Sequence, residues 1–370
     1  MITEIRASKL ARPMVCAGFT SFENLPEQDT NDAAKEGTAA GEYLAKLLLS
    51  PGVSVKPEGQ ASNGVYFDSD MDFYLRPIAD HIGERAQSQI LCEQRIDFMT
   101  RSGIRIRGSY DASYVHNGNL YIDDLKYGWG IVEVKENWQL IAYAIGEVIR
   151  RQMVFPEIIL RILQPRPHHE DGPIREWRLT YNQLLEYKER IEVRMELIAS
   201  GFKELQTGKQ CKYCAAAPEA CPAFNRLFYR SLEVTTEFVQ DSITDAELAR
   251  QLDQVARAED AIKIKSTSLK ELAVNRIKGG KIVPGWMTET NYGDRKWKPG
   301  ISPETIEVLT GKKIVEQKML SPAQAEKIGV SKDLVNGLVD RHFLGQKLVR
   351  KDAGKLADNV FGKDKPKGDK

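Results

Sequence analysis

The pattern of apolar and polar residues predicts two helices and then three strands in the first third of the chain. Residues 33–50 place alanine and leucine at helical spacing and stop before Pro51. A polar loop covers about 52–64, and a mixed helical segment follows over about 68–88. Three runs are rich in β-branched and aromatic residues and predict strands: 90–99, 103–115 and 119–128. The sequence His116-Asn117-Gly118-Asn119 is typical of a hairpin turn.

The pattern then changes to a helix, a buried strand and a further helix. Residues 136–154 predict a helix that stops before Pro156, and residues 157–164 predict a buried strand. From Tyr181 to about Gln206, apolar residues recur at helical spacing. We therefore expect an α/β fold with the order helix, three strands, helix, strand, helix, in which a three-strand meander and a crossover to a fourth strand form a central mixed sheet flanked by helices.

The sequence changes character after about residue 235. Helical, charged residues cover 242–276, a segment punctuated by glycine, proline and aromatic residues covers 279–300, and 302–349 is helical again. The last twenty residues are rich in lysine and poor in apolar residues, which predicts a disordered tail. The chain thus divides into an α/β domain, a mainly helical domain with basic and aromatic residues, and a tail: 1–235, 236–350 and 351–370.

Composition narrows the classes of protein but does not identify one. The chain has 370 residues, 42% hydrophobic and 28% charged, with a net charge of +1, as in ordinary globular proteins. No apolar run is long enough for a signal peptide or a membrane span, so we expect a cytoplasmic protein with no membrane partner. In that compartment disulfides are not expected among the five cysteines.

Candidate chemistry is concentrated around one hairpin. Asp124 and Lys126 are two residues apart on a strand, so their side chains leave the same face. Asp111 lies near the end of the preceding strand, where the hairpin can bring it beside Asp124. Two carboxylates at one place repel each other unless a cation lies between them, and hard oxygen ligands favour Mg²⁺ or Mn²⁺. A lysine beside that cation can orient an attacking water and offset charge on a phosphate oxygen.

Two polar residues of the next helix extend this set. Gln139 and Tyr143 are four residues apart on one helical face, where they can contact a nucleic-acid backbone or position Lys126. Taken alone, an Asp-x-Lys pair on a strand is typical of a solvated salt bridge. The catalytic interpretation depends on the ordered set: Gly108-x-x-Asp111, Asp124-x-Lys126 and Gln139-x-x-x-Tyr143.

This ordered set resembles the PD-(D/E)xK nuclease superfamily, and within it the RecB-like branch, whose restriction-endonuclease-like core has the order αβββαβ. The resemblance implies that Asp111 and Asp124 are metal ligands and that the backbone carbonyl of Leu125 is a further ligand. It also implies that Lys126 is the catalytic lysine.

Further residues match other motifs of the RecB-like branch. Gln139 and Tyr143 match its Gln-x-x-x-Tyr motif, and Glu93 on the preceding strand is where an additional acidic ligand is often found. The stretch 36–42, EGTAAGE, resembles the first motif, in which a histidine normally follows. This chain has Gly41 and Glu42 instead. The number of catalytic metals, one or two, is therefore left open, and Glu42 is a candidate to replace the histidine as a ligand.

The chain is also similar to an uncharacterised family of phage and prophage RecB-like proteins, through EGTAAGE, YIDDLKYG, QPRP (164–167) and the stretch 285–297. This similarity implies a DNA exonuclease of phage-type recombination or replication, in the host cytoplasm if phage-encoded. Its substrates would be single-stranded DNA or duplex ends, and a single-strand-binding or annealing protein would be a partner. The oligomeric state and the strand polarity are not predicted.

Four cysteines have the spacing of a metal site. Cys211-x2-Cys214-x6-Cys221 has metal-ligand spacing, and Cys16 lies in a short N-terminal segment that can fold back onto it. Four cysteines without histidine suit Zn²⁺ as well as an iron–sulfur cluster. Resemblance to the cluster-bearing RecB-like nucleases favours a [4Fe–4S] cluster that holds the two ends of the domain together. Cys92, within an apolar strand, is predicted to be a core residue.

A basic and aromatic segment is a candidate nucleic-acid interface. Residues 261–299 carry nine basic side chains against three acidic ones, and tryptophans lie among them. Cations with exposed aromatic rings suit single-stranded nucleic acid, whereas core tryptophans beside a solvated basic face are the alternative. The candidates are Lys278, Lys281, Trp286, Arg295, Lys296 and Trp297. Arg161 and Arg166 are further candidates to line the substrate groove.

Three functions are therefore compared. The leading hypothesis is a Mg²⁺- or Mn²⁺-dependent deoxyribonuclease, and an exonuclease is favoured over an endonuclease. A structure-specific endonuclease is the second. The third is a nucleic-acid-binding or assembly factor on a nuclease scaffold with weakened catalysis, which Gly41 favours. The presence of Asp111, Asp124 and Lys126 together argues against the third.

Overall fold

A computed structural model describes residues 2–22, 25, 32–50, 53–234 and 244–288, without the side chains of residues 32, 213, 233 and 234. These residues belong to one compact unit, Met1–Glu289. The predicted helices over 302–349 and the predicted tail lie outside the described residues. Among the described helices, each is too short or too polar to cross a bilayer.

A mixed six-stranded sheet forms the centre of the molecule. β2, β3 and β4 are antiparallel neighbours, β5 runs parallel to β4, and β6 is antiparallel to β5. β1 pairs in parallel with the beginning of β3. The strands are β1 Glu4–Arg6, β2 Leu91–Met99, β3 Arg105–His116, β4 Asn119–Leu125, β5 Glu157–Leu163 and β6 Ile174–Thr180.

Helices cover both faces of this sheet. α4 and α5 share one apolar core with the sheet, and α2 and α3 share a second core on the other face. Side chains cap several helices: Asp68 accepts a hydrogen bond from Met71 N at 2.9 Å, and Thr180 and Gln183 form a capping box. The helices are α1 Ala11–Val15, α2 Asp32–Leu49, α3 Ser69–Arg85, α4 Trp138–Arg151, α5 Tyr181–Ala199, α6 Pro222–Val234 and α7 Asp245–Lys278.

The predicted mixed α/β architecture is confirmed, with two strands that the sequence pattern did not indicate. β1 has only three residues, and β6 carries Arg175 at a buried position, which breaks the alternation expected of a strand. The prediction that the last helix of this region reaches Gln206 is wrong. α5 ends at Ala199, because Gly201 adopts a φ of 90° that turns the chain away.

The prediction that Arg161 could line a substrate groove is also wrong. Its side chain is fully buried and forms an ion pair with Asp123 at 2.6 Å. The guanidinium also donates to the hydroxyl of Tyr114 at 2.8 Å and lies 5.0 Å from the ring of Tyr121. In this pair each side chain neutralises the buried charge of the other, and the pair is part of the core.

Candidate active site

The candidate site lies at a gap in the strand pairing of β3. β2 occupies one edge of β3 from Arg105 to Ser113, so β1 and β4 must both pair with the opposite edge. β1 ends its pairing at Arg107 and β4 begins at Ala112. Among the described strands, none pairs with the segment 108–111 on that side of β3. The Gly108-x-x-Asp111 motif lies in this gap.

The alternation of side chains shifts by one residue at the same place. Tyr110 belongs to the core under α4, whereas Ala112 belongs to the core under α2, although strict alternation would place both on one face. β2 shows the same shift between Cys92 and Ile96. Glu93, level with Asp111 in the register, has a left-handed φ of 51°. Strained backbone of this kind in a non-glycine residue clusters at functional sites.

The Asp-x-Lys pair forms a hydrogen-bonded network with the next helix. Lys126 Nζ lies 2.7 Å from Asp124 Oδ2 and donates to Gln139 Oε1 at 3.0 Å. Gln139 Nε2 lies 3.1 Å from Asp124 Oδ1 and 2.7 Å from the hydroxyl of Tyr143. Gln139 therefore fixes both members of the Asp-x-Lys pair, and Tyr143 fixes Gln139.

Tyr143 fits against the sheet because residue 108 is a glycine. A Cβ built on Gly108 would lie 2.8 Å from the ring of Tyr143 and 2.9 Å from Ala7 Cβ. Burial, and then the negative charge of Asp124, raises the pKa of Tyr143, so its hydroxyl stays protonated. Close packing at Gly108 thus sets the position of the Gln139–Tyr143 pair.

Asp111 reaches the same place from β3. Its Oδ2 accepts a hydrogen bond of 2.5 Å from the backbone N–H of Leu125. Burial raises the pKa of Asp111 well above its usual value, and the charge of Asp124 raises it further. Burial alone would lower the pKa of Lys126, but Asp124 outweighs burial and the pKa is raised. Asp111 and Asp124 therefore repel each other, and Lys126 offsets only part of that repulsion.

Glu93 and Asp111 face one point on α2. A Cβ built on Gly41 would lie 3.5 Å from both Glu93 Oε1 and Asp111 Oδ1. Glu93 is an exposed residue, but partial desolvation of its carboxylate raises its pKa, and the charges of Glu42 and Asp124 raise it further. The carboxylate of Glu42 binds residue Ser62, whose backbone N–H lies 2.9 Å from Glu42 Oε2. Gly41, at the position where the resembling RecB-like motif has a histidine, thus lies within contact distance of two carboxylates.

The donor set at this site fits a hard divalent cation. Asp124 Oδ2 is buried and has no hydrogen bond of acceptable geometry within the described residues, apart from its ion pair with Lys126. Carboxylate oxygens of Asp111, Asp124 and Glu93 suit Mg²⁺ or Mn²⁺. No group of three or more acidic, histidine or cysteine side chains in the described part of the chain has preformed metal geometry. The ligand role of the Leu125 carbonyl stays a prediction.

One contact that the sequence did not predict joins two of the motifs that resemble the phage RecB-like proteins. Glu36, in the EGTAAGE stretch, forms a two-point ion pair with Arg166 of QPRP, at 2.7 and 2.9 Å. Arg166 also lies 4.1 Å from the ring centre of Tyr127, which follows Lys126 directly. A glutamate and an arginine separated by 130 residues leave no local sequence pattern. Only the joint occurrence of both motifs in related sequences could indicate this ion pair.

The N-terminal cysteine does fold back towards the other three. Cys16 Sγ lies 3.9 Å from the carbonyl oxygen of Glu204, and Gly18 N donates to the same carbonyl at 2.7 Å. A Cβ on Gly18 would lie 2.7 Å from the backbone carbonyl oxygen of Lys203, so only glycine allows this close approach. Burial raises the pKa of Cys211 to about 11, with further contributions from Cys214, Cys221 and Cys16.

The four thiols have the chemistry of soft-metal ligands, but no three of them in the described part of the chain are arranged to hold a metal ion. All of them are free, and Cys221 Sγ accepts a hydrogen bond of 3.4 Å from Phe224 N in the first turn of α6. Cys92 is instead buried in β2, where burial raises its pKa to about 12, and its prediction as a core residue is confirmed.

The candidate nucleic-acid segment is only partly described. Lys278, Lys281 and Trp286 are all exposed, Trp286 by 67%, so the alternative that this tryptophan is a core residue is wrong. Lys265 is buried and its ammonium binds Asn225 Oδ1 at 2.7 Å, so it contributes no charge to a basic surface. The other candidates, Arg295, Lys296 and Trp297, lie outside the described residues.

Comparisons with known proteins give a family without an established function. The sequence profile of a family described as "Protein of unknown function (DUF2800)" matches residues 4–356. A solved structure described as "Crystal structure of SSO0001" is similar over 60% of this chain and 88% of its own, with 16% identity and a TM-score of 0.32. A similarity of this size supports no argument about the fold.

Proposed function

We propose that this chain, which belongs to the DUF2800 family, is a Mg²⁺- or Mn²⁺-dependent deoxyribonuclease that acts as an exonuclease. The observation that carries the proposal is the network around Asp124, in which Lys126 and Gln139 each contact a different carboxylate oxygen. A solvated salt bridge needs no such second partner. The buried Asp124 and the adjacent Asp111 together provide the negative charge that a divalent cation requires.

The arrangement of elements supports the same proposal. A helical layer, the strands β2, β3 and β4, the helix α4 and the parallel strand β5 follow one another in the order of a restriction-endonuclease-like core. Asp124 and Lys126 lie at the end of β4, beside Gln139 in the first turn of α4. Side chains from three elements thus meet at one end of the sheet, as a nuclease site requires.

Each residue has a separate role in the proposed reaction. Asp111 and Asp124 would hold the cation, which lowers the pKa of water and polarises the phosphate. The ammonium of Lys126 orients the attacking water and offsets charge on the phosphate oxygen. Gln139 holds Lys126 in place, and Tyr143 holds Gln139. Glu93, facing the point beside Gly41, is the proposed additional ligand.

For the four cysteines we propose a [4Fe–4S] cluster with a structural role, with Zn²⁺ as the alternative. The proposal rests on the approach of Cys16 to the segment that precedes Cys211. Iron and sulfide analysis of anaerobically purified protein tests it, together with the absorption spectrum. Brown protein with about four irons per chain supports the cluster. Colourless protein that contains zinc and no iron would require the alternative.

A second candidate function is a DNA-binding assembly factor without turnover. It is favoured by Gly41, which stands where the first RecB-like motif has a histidine. Linear, circular and end-blocked DNA, incubated with Mn²⁺, separate the possibilities. The proposal predicts loss of linear DNA from its ends and intact circles. Nicked or linearised circles would require an endonuclease, and stable DNA binding without any cleavage would require the assembly factor.

A further inference from the structure

An exposed tryptophan lies a few residues after the candidate catalytic lysine. Trp129 is 64% exposed and is flanked by Gly128 and Gly130, three residues beyond Lys126. Three residues span at most about 10 Å of backbone, so Trp129 lies close to Lys126.

The backbone on both sides of this tryptophan is fixed. Gln164, which is almost fully buried, donates from Nε2 to the carbonyl of Gly128 at 3.0 Å and to that of Gly130 at 2.7 Å. Its Oε1 accepts hydrogen bonds from Val132 N at 3.1 Å and from Arg175 at 2.5 Å. A single side chain thus holds the loop at three points, while the tryptophan side chain projects outward.

The indole ring has a fixed neighbour as well. The guanidinium of Arg166 lies 5.3 Å from the centre of the Trp129 ring and 4.1 Å from that of Tyr127. Glu36 neutralises this arginine through the two-point ion pair described above. Arg166 is therefore suited to orient the ring by a cation–π contact and is not a free phosphate-binding charge.

We propose that Trp129 is the stacking surface for an unpaired base of the strand that is cut, next to the scissile phosphate. This inference rests on the proposed nuclease function and names its substrate class as single-stranded DNA or a frayed duplex end. A flat ring on a fixed loop loses little conformational freedom when it binds a base, and such stacking tolerates any sequence. A base inside a stable duplex presents no free face to the ring.

A double comparison tests the stacking contact. Cleavage of a single-stranded oligonucleotide in Mn²⁺ is measured with wild type, Trp129→Ala and Trp129→Phe, and with oligonucleotides that carry one abasic nucleotide at each of the first three positions from the cleaved end. One abasic position should slow wild type about 10-fold, and Trp129→Ala should slow cleavage of the intact strand by a similar factor. In Trp129→Ala the abasic position should then have no further effect, and Trp129→Phe should recover most of the rate.

A matched variant and a binding measurement keep the outcomes distinct. Tyr229 is 64% exposed on α6, so Tyr229→Ala should behave as wild type on every substrate. A wild-type rate for Trp129→Ala would overturn the stacking proposal and leave the nuclease proposal intact. The same holds if the rate reductions caused by Trp129→Ala and by the abasic nucleotide multiply. If no divalent ion supports cleavage, the nuclease proposal fails. The same comparison by fluorescence anisotropy in Ca²⁺ then decides the stacking contact alone.

Discussion

The two oxygens of the Asp124 carboxylate have different partners, and this difference determines what the residue can do. Oδ1 accepts a hydrogen bond from Gln139, whereas Oδ2 faces the ammonium of Lys126. The residue is almost fully buried, so its charge needs compensation from within the site. A single ammonium shared by two carboxylates leaves net negative charge there, which favours binding of a divalent cation.

Replacement of Lys126 should separate cation binding from turnover. Lys126→Met removes a positive charge next to Asp124, so binding of Mn²⁺, measured by electron paramagnetic resonance, should be retained or tightened. The rate of single-turnover cleavage should fall by about 10²- to 10⁴-fold, because the group proposed to orient water and stabilise the phosphate is lost. A variant that lost Mn²⁺ binding and kept its residual rate would contradict this role.

Gly108 should tolerate no side chain. Gly108→Ala places a methyl group 2.8 Å from the ring of Tyr143, and overpacking of this kind costs about 1–3 kcal/mol. The free energy of unfolding in urea measures the effect. Gly83→Ala is the control, because this α3 position has no atom within 4 Å of the added Cβ and should become neutral or slightly stabilised. Equal effects at both positions would exclude close packing as the cause.

At the scale of elements, α4 is held to the sheet by a buried carboxylate. Glu147 is fully buried and accepts hydrogen bonds from Tyr110 at 2.7 Å, Arg150 at 2.6 Å and Arg151 at 2.5 Å. Burial alone would raise the pKa of Glu147, but these donors outweigh it and leave the pKa lowered. The ionised form therefore stabilises the folded state above the pKa of an unfolded glutamate, and this contribution is lost as pH falls through the lower, folded pKa.

Substitution of Glu147 should change both stability and its dependence on pH. Glu147→Gln should lower the free energy of unfolding at pH 7 by about 2 kcal/mol, because two arginines lose their charge partner. The difference from wild type should shrink as pH falls below the ordinary pKa of a glutamate, because the wild-type carboxylate then protonates. Glu189→Gln, at an exposed ion pair with Arg101, should have little effect at either pH. A difference that stays constant with pH would contradict the charge explanation.

The sequence pattern predicted those elements whose signals are local. β4 is recognisable as an apolar strand after a hairpin turn, and the spacing of Asp124 and Lys126 places both on one face. β6 was not recognisable, because buried Arg175 depends on Gln164, eleven residues away in the chain. The left-handed φ of Glu93 could not be predicted either, since no residue type marks such a position and the tertiary structure imposes it.

At the scale of the whole molecule, contacts between distant parts of the chain hold the cysteine segment. The N-terminal Cys16 and Gly18 contact the carbonyl of Glu204, and Lys265 of α7 binds Asn225 beside the cysteine loop. Arg276, near the end of α7, pairs with Glu219 of that loop at 3.0 Å. The segment around the proposed cluster therefore joins the beginning of the chain to its last described helix.

Loss of one cysteine should release this connection. Under the cluster proposal, Cys16→Ser should reduce bound iron well below one cluster per chain and lower the thermal midpoint by about 5 °C or more. Cys92→Ser, at a buried cysteine in β2, should retain its metal. Metal analysis and thermal unfolding of the two variants provide the comparison. Full metal content in Cys16→Ser would remove Cys16 from the ligand set.

The most direct test of the central claim is Mn²⁺-dependent cleavage of end-labelled linear DNA by wild type and Asp124→Asn. Asp97→Asn is the matched control, because Asp97 is an exposed residue of the same sheet that pairs with Arg105 at 2.7 Å. We expect wild type and Asp97→Asn to release labelled nucleotides at equal rates, and folded Asp124→Asn to be slower by about 10³-fold or more. Equal rates for Asp124→Asn and wild type, or no cleavage by wild type with any divalent ion, would contradict the account.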